Sequence, residues 1–273
     1  GTKWNSKKMS SLAFQAYFYS TSIFIFVTIA FGKNMLNSSD IKHLLLLNGN
    51  DYWFIKSYLI FFILSPVLNT FIETSSEKTQ RNCIITFLCF QTIFGYLSIK
   101  GANEFEGGYS ALFFIGLYLT TRYLRVSRPE LLKRITFKQS FFIFITAALS
   151  QPFLALFLTW QGVPIIGRLF TDTNPIVIIQ AFSLVICFDK IPPFHNQTVN
   201  TLASSCLAVY LLHGNFYILR PIYGKLIANT YLQENGVKCL AHISIIVVAF
   251  FIGALLIDQV RKLLWNAISI NAK

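Results

Sequence analysis

Tyr210, His213, Tyr217 and Arg220 stand at i, i+3, i+7 and i+10 in the stretch AVYLLHGNFYILRP, residues 208–221, of an otherwise apolar run. On a helix this spacing puts all four on one stripe, provided that the helix reaches Arg220. Pro221 disfavours helical geometry at the residue before it, so the helix is expected to end there. A histidine in such a stripe can take a proton from a hydroxyl, and neutral imidazole tolerates low dielectric better than a carboxylate does. A histidine that bonds a neighbouring helix and does no chemistry fits the spacing equally well. An arginine costs about 3 kcal/mol at the centre of a bilayer, so Arg220 is expected near a surface, where it can meet an anion.

A second polar set lies in NDYWFIKSYLIFFILSPVLN, residues 50–69. Tyr52 and Trp53 read as aromatics at a membrane interface. Lys56 can snorkel outward from one turn inside. Pro66 is expected to kink its helix and free backbone carbonyls, with Asn69 close by, and Gln151–Pro152 offers a similar break further on. Gln91 and Gln180 read as helix–helix hydrogen-bond partners. Glu104 and Glu106 fit either paired acid–base carboxylates or a solvated loop. Asp258, with Arg261 and Lys262 at i+3 and i+4, reads as a helix-end ion pair. His43, His195 and His242 sit in loops or near a helix end and read as structural or solvated. No P-loop, HExxH, GxSxG or Gly-rich dinucleotide pattern occurs in the sequence, and no metal site is expected.

The elements that must position these residues follow from composition. Of 273 residues 54% are hydrophobic and 12% charged, and Phe alone occurs 28 times. Soluble domains carry about twice that charged fraction. Apolar runs of about 18 residues or more recur, each long enough for a hydrocarbon core about 30 Å thick. They do not alternate as the strands of a membrane barrel would. The fold expected is therefore all-α: a polytopic membrane bundle of about eight helices in one domain, residues 1–273. The spans fall at about 11–31, 53–72, 83–99, 108–124, 139–159, 175–188, 201–219 and 239–258. The sixth is short enough for a half-span.

The net charge of +12 has a topological cause rather than a nucleic-acid partner. Fifteen of the 23 Lys and Arg residues fall in the N-terminus, residues 73–82, 122–138, 189–199 and the C-terminus, and seven in the alternate loops. By the positive-inside rule both termini face the cytoplasm. The segment RYLRVSRPELLKR is the strongest anchor, and it can also attract an anionic cofactor such as CoA. The five cysteines are scattered, with no CxxC, and read as small core hydrophobes.

Four stretches together carry a resemblance. DYWFIKSYLIFFILSPVLN resembles the YWF…Y…L…SP-x-LN segment of the acyltransferase family 3 membrane proteins. GGYSALFFIGLYLTTRYLR is similar to that family's gYS…F-I-x-LY…Y-x-R helix. FDKIPPFHNQTVNTLASSCLAVYLLHGN is similar to its F…N…IN-x-LA-S…VYLIH-x-N segment, and the arginine after that histidine recurs too. The resemblance covers about residues 50–220. It implies a multi-pass O-acyltransferase of the bacterial inner membrane with about ten helices. Such proteins commonly move an acyl group, often acetyl, from cytoplasmic acyl-CoA to a sugar hydroxyl of a surface polysaccharide, or exopolysaccharide, or its lipid-linked precursor. Acyl-CoA is then a co-substrate, no resident cofactor is implied, and the partners are membrane lipid and a saccharide acceptor.

Carried over residue by residue, Trp53, Tyr58, Pro66 and Asn69 match motif positions in the second span, and Tyr210, His213 and Arg220 match positions in the seventh. The resemblance implies that Trp53, Tyr58, Asn69, Tyr210 and Arg220 bind substrate and that His213 acts in catalysis or orients the acceptor. Arg122, Arg125, Arg128, Lys133 and Arg134 would attract the phosphates of CoA. The family's opening helix, which bears an arginine and about ten residues on a histidine, has no match in the chain, and neither has the helix after it. GTKWNSKKMSSLAFQAYFYS looks like the stretch just after that second helix, so the chain is expected to be an N-terminally truncated form. Two rivals stay open: a transporter or flippase for a lipid-linked sugar or small anion, and an inactive remnant.

Overall fold

The computed structural model of the chain describes residues 6–31, 52–98, 105–163, 166–216 and 219–271, and every regular element among them is helical. In chain order the α-helices are α1 (Ser6–Phe31), α2 (Trp53–Thr74), α3 (Glu77–Phe90), α4 (Ala111–Val126), α5 (Pro129–Arg134), α6 (Phe137–Trp160), α7 (Pro175–Asp189), α8 (Gln197–Ala203), α9 (Cys206–His213), α10 (Lys225–Gln233) and α11 (Gly236–Asn271). A π-helical segment, Gln91–Leu97, extends α3, and another, Leu219–Gly224, leads into α10. Among the described residues five helices are long and apolar enough to cross a membrane: Met9–Ala30, Trp53–Thr74, Phe137–Trp160, Gly167–Asp189 and Gly236–Leu263. The chain is a helical membrane bundle. Phe142, Phe153, Leu156 and Trp160 on α6 are all exposed, a face that hydrocarbon can cover and water cannot.

Local chemistry sets the helix starts. Ser76, Ser110 and Asn196 each accept a hydrogen bond from the backbone N–H three residues on. Thr136 and Gln139 form a reciprocal capping box at the start of α6. Asn174 caps α7, with Pro175 in its first turn. Two helices run on through an internal proline, Pro66 in α2 and Pro152 in α6. Pro66 cannot donate to the Phe62 carbonyl, and the Ser65 hydroxyl donates to it instead at 2.8 Å. Near Pro152, Ser150 and Gln180 both donate to the Ala147 carbonyl, at 2.8 and 3.0 Å, next to the Ala148 carbonyl that the proline leaves without its N–H.

The chain divides into two compact units. The first is built from Trp53–Pro193. Here α2 packs on α4, α3 packs on α4, and α6 and α7 form a hairpin. Ile72, Ile84, Leu119 and Tyr123 make one core cluster, and Phe105, Phe113 and Ile178 another. Gly116 permits the close approach of α3 to α4, because a Cβ there would fall 1.9 Å from Cζ of Phe87. Of the five cysteines only Cys187 is buried, its thiol 3.2 Å from the Ser140 hydroxyl. Cys83, Cys89 and Cys206 are exposed on helix surfaces, not core residues as the sequence suggested.

The second unit takes Lys7–Tyr52 and Phe194–Lys273. Its polar centre is Asp258, wholly buried on α11. Arg261 Nε lies 2.7 Å from its Oδ1, Lys262 Nζ 3.3 Å from Oδ2, and the Tyr19 hydroxyl of α1 donates to it at 2.6 Å. Lys262 also donates to the hydroxyls of Ser204 and Ser205, and Gln259 donates to Ser205. The ion pair expected at a helix end is thus a mid-helix crosslink, since α11 runs on to Asn271. It grips the joint where the expected seventh span breaks into α8 and α9.

That break, and the early end of α9, correct the expected single helix over 201–219. The helix stops at His213, capped by Gly214, seven residues before Arg220. The physical reason is a phenol. Tyr52, buried and at φ 47°, donates from its hydroxyl to the Leu211 carbonyl at 2.7 Å and accepts from the Asn215 amide at 3.0 Å. It thereby takes the acceptor that the next helical N–H would have used. Tyr217 lies outside the described residues, so of the expected stripe only Tyr210 and His213 stand on one helix.

Two stability measurements test these contacts. Replacing a mid-helix glycine by alanine ordinarily gains about 1 kcal/mol. Gly116→Ala is expected instead to lose about 1–3 kcal/mol, because Phe87 has to move. Denaturation of the detergent-solubilised protein reads the sign directly. Asp258→Ala, which leaves two cations facing a buried gap, is expected to cost about 3–5 kcal/mol in the same experiment.

Candidate functional site

The first unit contains a cavity of about 380 Å³ between α2, α4 and α7. Its walls are almost wholly apolar, with Phe54, Phe113, Phe114 and Phe182 prominent, and Trp53 and Asp172 are its polar-bearing members near one end. A narrower space sharing Thr121, Phe182 and Val185 continues along α4 and α7 to Arg125 and Asp189. The two together form a cleft that runs from an aromatic and acidic end to the Arg125–Asp189 ion pair, beside the basic α4–α5 segment. They lie between the α2–α4 pair and the α6–α7 hairpin.

Trp53 opens α2 and stacks on Tyr109, ring centroids 4.2 Å apart and 27° between planes, with Phe54 and Phe114 at its edges. The Ser57 hydroxyl donates to the Tyr109 carbonyl at 2.6 Å, which holds that platform to the same helix. Tyr58 stacks on Phe54, centroids 5.8 Å apart. Asn69 lies three residues past Pro66, and its side-chain oxygen accepts from the Tyr118 hydroxyl. The motif residues of α2 therefore act together with α4, Trp53 and Tyr58 as an aromatic wall and Asn69 as its tie.

The five basic residues at the other end of α4 divide into two kinds. Arg122 pairs with Glu73 at 3.5 Å and Arg125 with Asp189 at 3.0 Å. Arg128 bonds Glu77 and Glu130. Its contacts with Tyr123, Glu77 and Glu130 push its pKa further above the usual arginine value, so it stays charged. Lys133 and Arg134, exposed at the end of α5, have no ion-pair partner among the described residues. The three arginines thus brace helices, and the two residues of α5 are left to meet an anion.

In the second unit the His213 ring packs edge-on to Tyr223 at 4.7 Å and to Phe250 at 5.9 Å, with Tyr223 and Phe250 themselves 5.1 Å apart. The imidazole nitrogens have no hydrogen-bond partner among the described residues. Tyr210 lies one turn away, its ring 6.1 Å from that of Tyr52. Arg220 falls in the π-helical segment, and its side chain lies outside the described residues. His43 and Glu104 lie outside them too, as does the side chain of Glu106. His195 is exposed, and His242 pairs with Glu234 at 2.7 Å.

Asn215 and Asp172 escaped the sequence reading, and Tyr52 was read there only as an interface aromatic. Tyr52 and Asn215 stand in the two quoted motif stretches but carry no helical period that links them, and only the hydrogen bond between them shows their task. Asp172, in TDTNP, looks like any polar residue before a helix cap. Its loop, Gly167–Asn174, is fixed from several sides. Gln91, fully buried, donates to the Thr173 carbonyl, and Gln151 and Asn174 both donate to the Leu169 carbonyl. Gln180 in turn donates to Gln151, the helix–helix role its isolation suggested.

The comparisons bear on what such a bundle does. No curated protein and no solved structure matches the chain. A family model described as an acyltransferase domain matches residues 2–258, nearly the whole sequence and both units. The motif stretches quoted above, the multi-pass helical bundle and this match agree, and the chain belongs to the acyltransferase family 3 of membrane proteins.

Proposed function

We propose that the protein is an O-acyltransferase of the bacterial inner membrane with both termini in the cytoplasm. It moves an acyl group, most simply acetyl, from acyl-CoA to a hydroxyl of a surface polysaccharide or its lipid-linked precursor. Membership of an acyltransferase family carries the reaction class. The observation that supports this form of it is the cleft along α4 and α7, which runs from Trp53 and Asp172 to the Arg125–Asp189 pair, where the basic α4–α5 segment begins. Under the positive-inside assignment the basic segment faces the cytoplasm, where CoA is, and the Trp53 end faces outward.

The step itself is acyl exchange. The acceptor oxygen attacks the thioester carbonyl carbon, an O–C bond forms, the C–S bond breaks, and the hydroxyl proton ends on the CoA sulfur. It needs a base for the hydroxyl and donors for the oxyanion. His213, with both ring nitrogens unengaged by described residues, serves as base or orients the acceptor, with Tyr210 beside it. Arg220 holds an anionic or hydroxyl-rich part of a substrate. Trp53 and Tyr58 supply aromatic surface, and Asn69 keeps Tyr118 and α4 in place. Lys133 and Arg134 draw in the CoA phosphates, with Arg122, Arg125 and Arg128 adding to the local positive potential.

Membrane vesicles containing the protein, given labelled acetyl-CoA and the host's saccharide fraction, are expected to move label into saccharide. The double variant Lys133→Ala/Arg134→Ala should raise the KM for acyl-CoA about tenfold, with kcat little changed. Exposed charge contacts are each worth about 1 kcal/mol or less, and about 1.4 kcal/mol is tenfold. The difference should shrink in high salt. Saccharide that crosses the membrane unlabelled would favour a transporter, and no label with no transport would favour an inactive chain.

A further inference from the structure

We propose that the Trp53 end of the cavity is a saccharide subsite, in which Asp172 accepts hydrogen bonds from ring hydroxyls while Trp53 lies against a ring face. This deepens the acyltransferase reading, on which it rests for the identity of the acceptor, by placing that acceptor and naming a residue that the sequence reading did not.

The first argument is charge. Seven acidic side chains lie among the described residues, and six of them have ion-pair partners. Glu73 pairs with Arg122, Glu77 and Glu130 with Arg128, Asp189 with Arg125, Glu234 with Lys238 and His242, and Asp258 with Arg261 and Lys262. Asp172 is the seventh. Among the described residues it has neither an ion pair nor a side-chain hydrogen bond, although the protein carries an excess of twelve positive charges. Asp172 is exposed at the cavity, so its carboxylate is open to water, and hydroxyl donors of a ligand can take the place of that water.

The second argument is that the position is built. The loop before α7 is tied by Gln91, Gln151 and Asn174, and the Arg168 guanidinium donates to the Leu97 carbonyl at 3.3 Å. Gly108, at φ +105°, lies so close that a Cβ there would fall 2.5 Å from Cβ of Asp172. Only a glycine leaves this side chain its place. On the other wall the Tyr109 stack fixes the plane of the Trp53 indole.

The third argument is the match of chemistry. A sugar ring presents C–H groups on its faces and hydroxyl donors around its rim. An indole and a carboxylate lining the same cavity answer those two features, and the volume of about 380 Å³ is that of a small-ligand pocket. An ammonium group would also answer the carboxylate, and the test separates the two.

The test is saturation-transfer difference NMR on the full chain in detergent, with the neutral methyl glycosides of glucose, galactose, mannose and N-acetylglucosamine at millimolar concentration, and with glucosamine. Transfer to at least one neutral glycoside is expected. It should fall at least tenfold in the isosteric Asp172→Asn and in Trp53→Leu, and return in part in Asp172→Glu. No transfer to any neutral glycoside in the wild type, transfer to glucosamine alone, or Asn and Leu variants that bind as the wild type does would each overturn the proposal. Thermal unfolding of each variant identifies any that fails to fold, and a folded Asp172→Asn alone is enough to decide between these outcomes. Labelled acetyl-CoA is run in parallel. Glycoside binding that depends on Asp172 without acyl transfer would sink the enzyme reading and leave the subsite standing, and acyl transfer indifferent to Asp172→Asn would do the reverse.

Discussion

A peptide carbonyl with no donor in an apolar surrounding costs several kcal/mol, and much of this structure is an answer to that constraint. The Leu169 carbonyl, in the short 3-10 segment Ile166–Phe170, and the Thr173 carbonyl, in the turn after it, are met by the amides of Gln151, Asn174 and Gln91. Gln180 braces Gln151 and at the same time donates to the Ala147 carbonyl of α6. These glutamines and this asparagine explain how an irregular segment persists beside long apolar helices. The loop in turn sets Asp172 at the cavity, so a backbone constraint becomes a feature of the candidate site.

The second unit solves the same problem with different groups. Tyr52 covers the Leu211 carbonyl and engages Asn215, which ends α9 just past His213. The joint before α9 is held by Ser204 and Ser205, themselves bonded by Lys262 and Gln259, with Asp258 behind them. α9 is therefore a short helix pinned at both ends. A pinned helix presents His213 to Tyr223 and Phe250 in one orientation.

Charge is used in two ways along α4 and α5. Arg122, Arg125 and Arg128 are held by acidic partners from the preceding and following helices, so their first effect is to tie helix ends together. Lys133 and Arg134 have no such partners among the described residues. A cluster that reads as five equivalent cations in the sequence thus divides into three braces and two open charges. Only the open ones retain a full field to offer a phosphate.

The sequence by itself determined the class of the molecule. Charge scarcity and apolar run length required membrane helices, the Lys and Arg asymmetry favoured one orientation, and the quoted motifs pointed to the family. Pro66 and Pro152 each remove one N–H from a helix that runs on through them, because a missing N–H is a local property. Tertiary structure alone decided where the seventh apolar run stops, since Tyr52 lies 159 residues from the Leu211 carbonyl it caps. It alone decided that Asp258 is buried and that Asp172 is unpaired among the described residues. Partners, burial and cavities are properties of distant chain segments brought together, and no window of sequence contains them.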